Sequence, residues 1–263
     1  MNLELHGRTA FVSGSTQGIG YAIASALTAE GAEVTINGRT PATVDAAVSR
    51  LRSEHPGALL RGVAADLADP GETSRLLQDI GEVDVLVNNV GLFGVAPFSD
   101  IADEDWQRYF DVNVMSGVRL SRALLPGMLR RGWGRVVFIA SESGVDVPAD
   151  MIHYGATKAA MLALANGLSK LTRGTGVTVN SILGGPTYSD GVEAVVTQLA
   201  AAQGVDVGTV KAAIIGQNRT TLLERFIDPA EIANLVAYLA SPRSSATNGS
   251  AVRADGGVLT TML

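Results

Sequence analysis

The chain contains no cysteine, which removes thiol nucleophiles, disulfides and zinc–thiolate centres together. Histidine is almost as scarce. His6, His55 and His153 lie far apart, so no structural or catalytic transition metal is expected. Basic residues are outnumbered, with 20 Lys+Arg against 26 Asp+Glu and a net charge of -6. No basic block tracks a phosphate backbone, so nucleic acid is not an expected partner. No apolar run reaches the ~18 residues a membrane span needs. The N-terminal MNLELHGRTAFVSG also lacks a basic start followed by a long apolar stretch. These absences predict a soluble, cytoplasmic protein with no membrane partner. No linker rich in proline, glycine or serine divides the chain and no repeat is visible. Although 263 residues would admit two small domains, they read here as one.

What is present is alternation. The β-rich runs TAFVS, EVTIN, LLRGVAA, VDVLVNN, RVVFIAS, VTVNSIL and SAVRA are separated by longer amphipathic stretches. The longest of these runs from about Asp103 through Leu129, and another from about His153 through Leu171. Nearly continuous apolar strands alternating with helices predict an α/β fold whose parallel sheet is covered on both faces. One segment departs from the rhythm. Tyr188 to Arg225 holds two helix-like pieces, EAVVTQLAAA and DVGTVKAAII, with no clear strand between them, as expected of a lid or binding loop.

The first strand-to-helix junction reads SGSTQGIG, with Gly14, Gly18 and Gly20. Glycine there permits a tight turn and close backbone approach to a pyrophosphate, whose charge rests on the helix N-terminus. The GxxxGxG spacing resembles that of the short-chain dehydrogenase/reductase family. Further motifs fall in the family's order: Asp66 in AADLAD, NNVG at Asn88 to Gly91, Asn113 in DVNV, Ser141 in IASESG, and Tyr154 with Lys158 in YGATK.

The resemblance covers essentially the whole chain. It implies a Rossmann fold, a doubly wound and mostly parallel sheet in three α/β/α layers, forming a single NAD(P)-binding domain over 1–263 with a substrate lid at about 186–225. It also implies cofactor contacts along Gly14, Ser15, Thr16, Gln17, Gly18, Ile19 and Gly20, at Arg39, at Asp66 (on the adenine) and Leu67, at Asn89 and Gly91, at Tyr154 and Lys158, and at Gly185 and Ser189. A homo-oligomer, dimer or tetramer, is implied as well.

Cofactor preference is read at the end of the second strand. There a carboxylate binds the ribose 2'-hydroxyl of NAD, and a guanidinium accepts the 2'-phosphate of NADP. Here Gly38 stands in the acid's place and Arg39 follows, which favours NADP(H) over NAD(H). Gln17 holds a position that is often basic in NADP-binding relatives.

The chemistry is expected at YGATK. A free tyrosine titrates near ~10 and needs a nearby cation to serve as a base at neutral pH. Residues four apart share a helix face, so Lys158 is placed to supply that charge. In the family the tyrosine exchanges the proton, the lysine binds the nicotinamide ribose, a serine holds the substrate oxygen, and an asparagine supports a proton-relay water. The resemblance carries these roles to Tyr154, Lys158, Ser141 and Asn113. Ser143 is a rival for the serine's role, and His153 reads as pocket lining or surface. The implied reaction is hydride transfer between NADP(H) and a ketone or secondary alcohol on a largely apolar substrate, 3-oxoacyl-type or another ketone; a non-catalytic NADP(H)-sensing or scaffolding protein on the same fold is the alternative. Leu92, Phe93, Val145, Met151, Val192, Val195, Val196, Leu199, Ile214 and Ile215 either wall the substrate pocket or only pack the lid helices onto the domain. Two departures from the family stand out. Val90 replaces an alanine, and Gly184-Gly185 replaces a proline–glycine pair, with Ser189 in the place of a threonine.

Overall fold

The structure, a computed structural model, describes residues 2–217 and 221–262. Residues 218–220 of the expected lid, and both ends of the expected 1–263 domain, fall outside the described residues. Seven strands form one sheet in the order β3-β2-β1-β4-β5-β6-β7, and every pairing is parallel. The strands are β1 Thr9–Val12, β2 Glu33–Gly38, β3 Leu60–Ala64, β4 Val85–Asn88, β5 Trp133–Ile139, β6 Gly176–Gly184 and β7 Ala251–Ala254. Each expected strand is found. The chain winds outward from β1 to β3, then returns to place β4 on the other side of β1. That reversal opens a crevice beyond the carboxyl ends of β1 and β4, where such sheets bind ligands.

Both faces of the sheet are covered. On one, helices α1 (Gly18–Ala29), α2 (Pro41–Glu54) and α9 (Pro229–Ala240) bury Ile23, Leu27, Leu51, Ile232 and Val236 against Val12, Ile36 and Val85. On the other, α3 (Pro70–Ile80), α5 (Ser116–Arg131) and α6 (Ile152–Lys170) bury Leu76, Leu120, Leu125, Met128 and Met161 against Phe11, Leu86 and Phe138. Strands flanked on both sides must be apolar throughout, and β4 is buried at all four residues. Helix ends follow from local chemistry. Asp69 accepts from the Glu72 amide at the start of α3, and Asp228 and Glu231 form a capping box ahead of α9, each with a proline in the first turn.

The long helix expected from Asp103 is interrupted in register. It consists of α4 (Asp103–Phe110), a π-helical turn over Asp111–Met115, and α5. The excursion after β6 holds α7 (Asp190–Gln203) and α8 (Val207–Gln217). Val196, Ala200 and Val210 form a small core of their own, with Val192 and Ile214 packed against it, while Val195 and Leu199 face solvent. Val192, Val196 and Ile214 thus pack within the excursion itself, an arrangement that neither expected reading described. Among the described residues no single helix is long and apolar enough to cross a membrane.

Candidate active site

The glycine-rich turn lies where the sheet reverses. Gly14 and Gly18 take left-handed backbone conformations, with φ of 60° and 58°. A Cβ on Gly20 would collide with the Gly14 carbonyl oxygen and the Asn89 amide, so close approach bars any side chain there. Asn89 fixes the same turn by donating from Nδ2 to the Ser13 and Gly14 carbonyls, both at 2.9 Å.

An elongated cleft of about 570 Å³ runs past this turn. Gly14, Thr16, Gln17, Gly18, Ile19, Gly20, Arg39, Asp66, Leu67, Asn89, Gly91 and Ser189, all expected at the cofactor, line it. Arg108 and Phe93 reach it as well. Ser15 does not. It is fully buried, its hydroxyl donating to the Val12 carbonyl at 2.6 Å and accepting from the Asn37 amide at 2.9 Å, so it holds β1 to β2. Arg39 is exposed at the rim and forms no ion pair among the described residues. A side chain at Gly38 would press on the Thr16 methyl at 2.5 Å, a steric reason for the missing carboxylate.

The fit to a dinucleotide is tested by the donors themselves. The Gly18 amide already donates to a carboxylate oxygen of Asp190, at the start of α7. The turn therefore holds an anion in this state, as the positive end of a helix and its free amides would hold a phosphate.

A second cavity, of about 340 Å³, opens at the carboxyl ends of β5 and β6. It shares Ile19, Phe93 and Ser189 with the first. Ser141, Ser143, Tyr154, Gly185, Met151 and Val192 line it, with Glu142 among them. Ser141 stands two residues beyond the end of β5, not on the strand as expected. Val145, expected in the wall, is exposed, and Leu92 faces the cofactor cleft instead. His153 is neither pocket lining nor surface. It is buried with its ring 4.2 Å from that of Tyr109 and 6.2 Å from that of Trp106, joining α6 to α4. At Gly185 a Cβ would stand 2.5 Å from the Asp255 carbonyl oxygen, so glycine is required; at Gly184 the nearest atom is 3.8 Å away, and a larger residue fits.

The four polar residues of the motif series converge. Asn113 is buried in the π-helical turn, its Nδ2 donating to the Leu92 carbonyl (3.0 Å) and Thr157 Oγ1 (2.9 Å) and its Oδ1 accepting from the Leu92 amide (2.6 Å). The wider turn rotates this amide inward, a recurrent use of π-bulges at functional sites. Thr157, which sequence reasoning missed, links Asn113 to α6 by also donating to the Tyr154 carbonyl (2.7 Å). Lys158 is buried, its Nζ donating to the Ile139 carbonyl at 2.8 Å and standing 5.6 Å from the centre of the Tyr154 ring. Burial pushes the lysine down to about 8, opposed by the nearby Glu142 carboxylate. Burial likewise pushes the Tyr154 phenol well above its ordinary value, Glu142 adds to the rise, and only the Ser141 hydroxyl opposes it. Desolvation is the largest influence on the phenol in this state, and it favours the protonated form of Tyr154.

Sequence reasoning also missed Glu142. Ser141 Oγ donates to its Oε2 at 2.5 Å while accepting from the Ser143 amide at 3.1 Å. Burial raises this carboxyl, against the hydrogen bond from Ser141. An acidic residue beside the expected serine was the available signal.

The sequence matches the family described as short chain dehydrogenase over residues 8–200. The chain belongs to this family. It is 45% identical over 260 residues to the uncharacterized oxidoreductase YvaG of Bacillus subtilis, covering 98% of each chain. It is 32% identical to the D-beta-hydroxybutyrate dehydrogenase of Cupriavidus necator, over 96% of this chain and 98% of that one. Among solved structures, L-sorbose reductase from Gluconobacter frateurii, complexed with NADPH and L-sorbose, superposes over 100% of both chains with a TM-score of 0.93 at 31% identity. This short chain dehydrogenase is therefore an oxidoreductase of the CH–OH/C=O class on a Rossmann fold.

Proposed function

We propose that the protein reduces a ketone with NADPH, Tyr154 donating the proton and Ser141 holding the carbonyl oxygen. The single observation that carries this reading is that Ser141 and Tyr154 line a cavity sharing a wall with the glycine-turn cleft, with the buried Lys158 Nζ 5.6 Å from the centre of the Tyr154 ring. When bound, NADPH supplies the hydride. Gly14 to Gly20 and Asn89 hold its pyrophosphate end, Asp66 and Leu67 its adenine, and Lys158 and Asn113 order the ribose side through their buried hydrogen bonds. A phenol that keeps its proton suits donation, because the alkoxide formed as the carbonyl carbon accepts hydride is a stronger base than phenolate. Run in reverse, the same groups oxidise a secondary alcohol. The helices over 186–225 serve as the lid, and assembly into a homo-oligomer belongs to the same proposal.

Preference for NADPH rests on Arg39, exposed and free of ion pairs among the described residues, and on the steric bar at Gly38. It is supported by the NADPH bound in L-sorbose reductase. The test is a panel of ketones and 3-oxoacyl thioesters assayed with both reduced cofactors, in the wild type and in Arg39→Asp. NADPH is expected to be preferred at least ~10-fold in kcat/KM and Arg39→Asp to remove that preference. Equal use of both cofactors by the wild type, or an unchanged preference in the variant, overturns the assignment. Absence of carbonyl-dependent oxidation across the panel favours the non-catalytic sensor.

A further inference from the structure

Glu142 is the one charged side chain lining the second cavity among the described residues. Its neighbours there are apolar (Ile139, Met151, Val192, Ile232) or hydroxyl-bearing (Ser141, Ser143, Tyr154, Thr187), and no lysine or arginine faces the space. An anionic substrate would meet a carboxyl in this cavity and no cation among the residues that line it. A purely apolar ketone would leave that carboxyl with the Ser141 and Ser143 hydroxyls as its side-chain donors, so the Ser141 proton would stay engaged.

The hydrogen bonds show what is missing. Ser141 has one proton, and it points at Glu142 Oε2, 2.5 Å away, while its own oxygen accepts from the Ser143 amide. In this arrangement Ser141 has nothing to donate to a carbonyl oxygen. Another donor to Glu142 would release that proton. Neighbouring carbons of a small molecule carry their oxygens within a hydrogen bond's length of each other, which matches the spacing of Ser141 Oγ and Glu142 Oε2.

We propose that Glu142 is a specificity-determining residue that accepts a hydrogen bond from a substrate hydroxyl on the carbon beside the carbonyl, making a neutral α-hydroxy ketone the substrate class. The exchange is balanced without any bond to carbon being made. The substrate hydroxyl takes Ser141's place as donor to Glu142, and Ser141 turns its proton to the carbonyl oxygen. The hydroxyl thus both binds the substrate and frees the group that holds the reacting oxygen. Burial, which raises the Glu142 carboxyl, also strengthens a hydrogen bond made to it. This proposal rests on the ketone-reductase reading above and narrows its substrate.

The test compares 1-hydroxy-2-hexanone, 2-hexanone and acetoacetate with NADPH in the wild type, Glu142→Gln and Glu142→Leu. NADPH binding by each variant establishes that the fold is retained. The wild type is expected to favour the hydroxy ketone over 2-hexanone by at least ~10-fold in kcat/KM, with part of the difference in kcat because Ser141 is released only by the hydroxyl. That ratio should fall several-fold in Glu142→Gln and toward one in Glu142→Leu, while acetoacetate improves relative to 2-hexanone in both. The ratio cancels any general damage from altering Ser141's neighbour. A wild type that does not discriminate, or a ratio kept in both variants, overturns the role of Glu142 and leaves the reductase reading standing. Failure of the wild type to reduce any of the three while the broader ketone panel is active overturns the substrate class alone; inactivity across that panel too overturns the underlying reading and this proposal with it.

Discussion

The two cavities of this dehydrogenase share Ile19, Phe93 and Ser189 but are made of different material. The first is shaped by main chain: a turn with Gly14 and Gly18 in left-handed conformations, the Ser13 and Gly14 carbonyls held by Asn89, and a helix end whose Gly18 amide presents itself to an anion. The second is shaped by side chains that answer to one another, with Ser141 acting on the titration of Glu142 and Tyr154, and Glu142 on that of Tyr154 and Lys158. A backbone site tolerates little change in shape and much change in sequence around it. A side-chain site keeps its shape and changes its chemistry with a single substitution.

The comparison breaks first at Gly20. Gly20→Ala places a Cβ against the Gly14 carbonyl and the Asn89 amide, two groups that cannot withdraw without opening the turn. NADPH affinity is expected to fall at least ~100-fold, measured by calorimetry, in a protein whose circular dichroism stays that of the wild type. Retention of wild-type affinity would mean that the turn does not shape the cofactor site.

Lys158 sharpens the contrast from the other side. Its ammonium is held in a buried place, and its titration falls to about 8 from an ordinary 10.5. The unfolded chain therefore binds more protons than the folded one between those values, so wild-type stability rises as pH goes from about 8 to 10.5, and the penalty is complete below 8. Lys158→Met, lacking the charge, is expected to be more stable than wild type at pH 7 without cofactor, by on the order of 1–2 kcal/mol, and inactive. The gap should close above pH 10. A destabilised variant at pH 7 would show that the bond to the Ile139 carbonyl outweighs desolvation.

How much of each cavity the sequence revealed follows from the same difference. Gly14, Gly18 and Gly20 are legible because steric demand leaves one residue type at each place, and alternating apolar strands are legible because a sheet covered on both faces admits little else. Arg39 and Ser189 are found by position relative to strand ends. Ser15 was placed with the cofactor by its company in the motif, but its hydroxyl is consumed in holding β1 to β2. The substrate side was less legible. Val195, Val196 and Leu199 read as pocket wall because apolar helices look alike whether they line a cavity, pack on each other or meet solvent. Glu142 and Thr157 escaped notice because their meaning lies in partners twelve and forty-four positions away, Tyr154 and Asn113. The burial that raises the Tyr154 phenol is invisible in a spacing of four.

Asp190 offers the smallest test. Its carboxylate takes the Gly18 amide where a phosphate is expected to rest, so the incoming cofactor must displace it. Asp190→Asn is expected to tighten NADPH binding about 2- to 5-fold, with a smaller gain at high salt. Weaker binding in the variant would show that Asp190 supports the bound state instead of competing with it.

The central claim is that the cofactor cavity binds independently of the group that performs proton transfer in its neighbour. It is tested most directly by titrating NADPH into Tyr154→Phe and measuring turnover on the same preparation. Loss of the phenolic proton donor is expected to lower kcat by about 1,000-fold or more, with the NADPH Kd within about 3-fold of wild type. Turnover within about tenfold of wild type would contradict the role given to Tyr154 and the mechanism built on it.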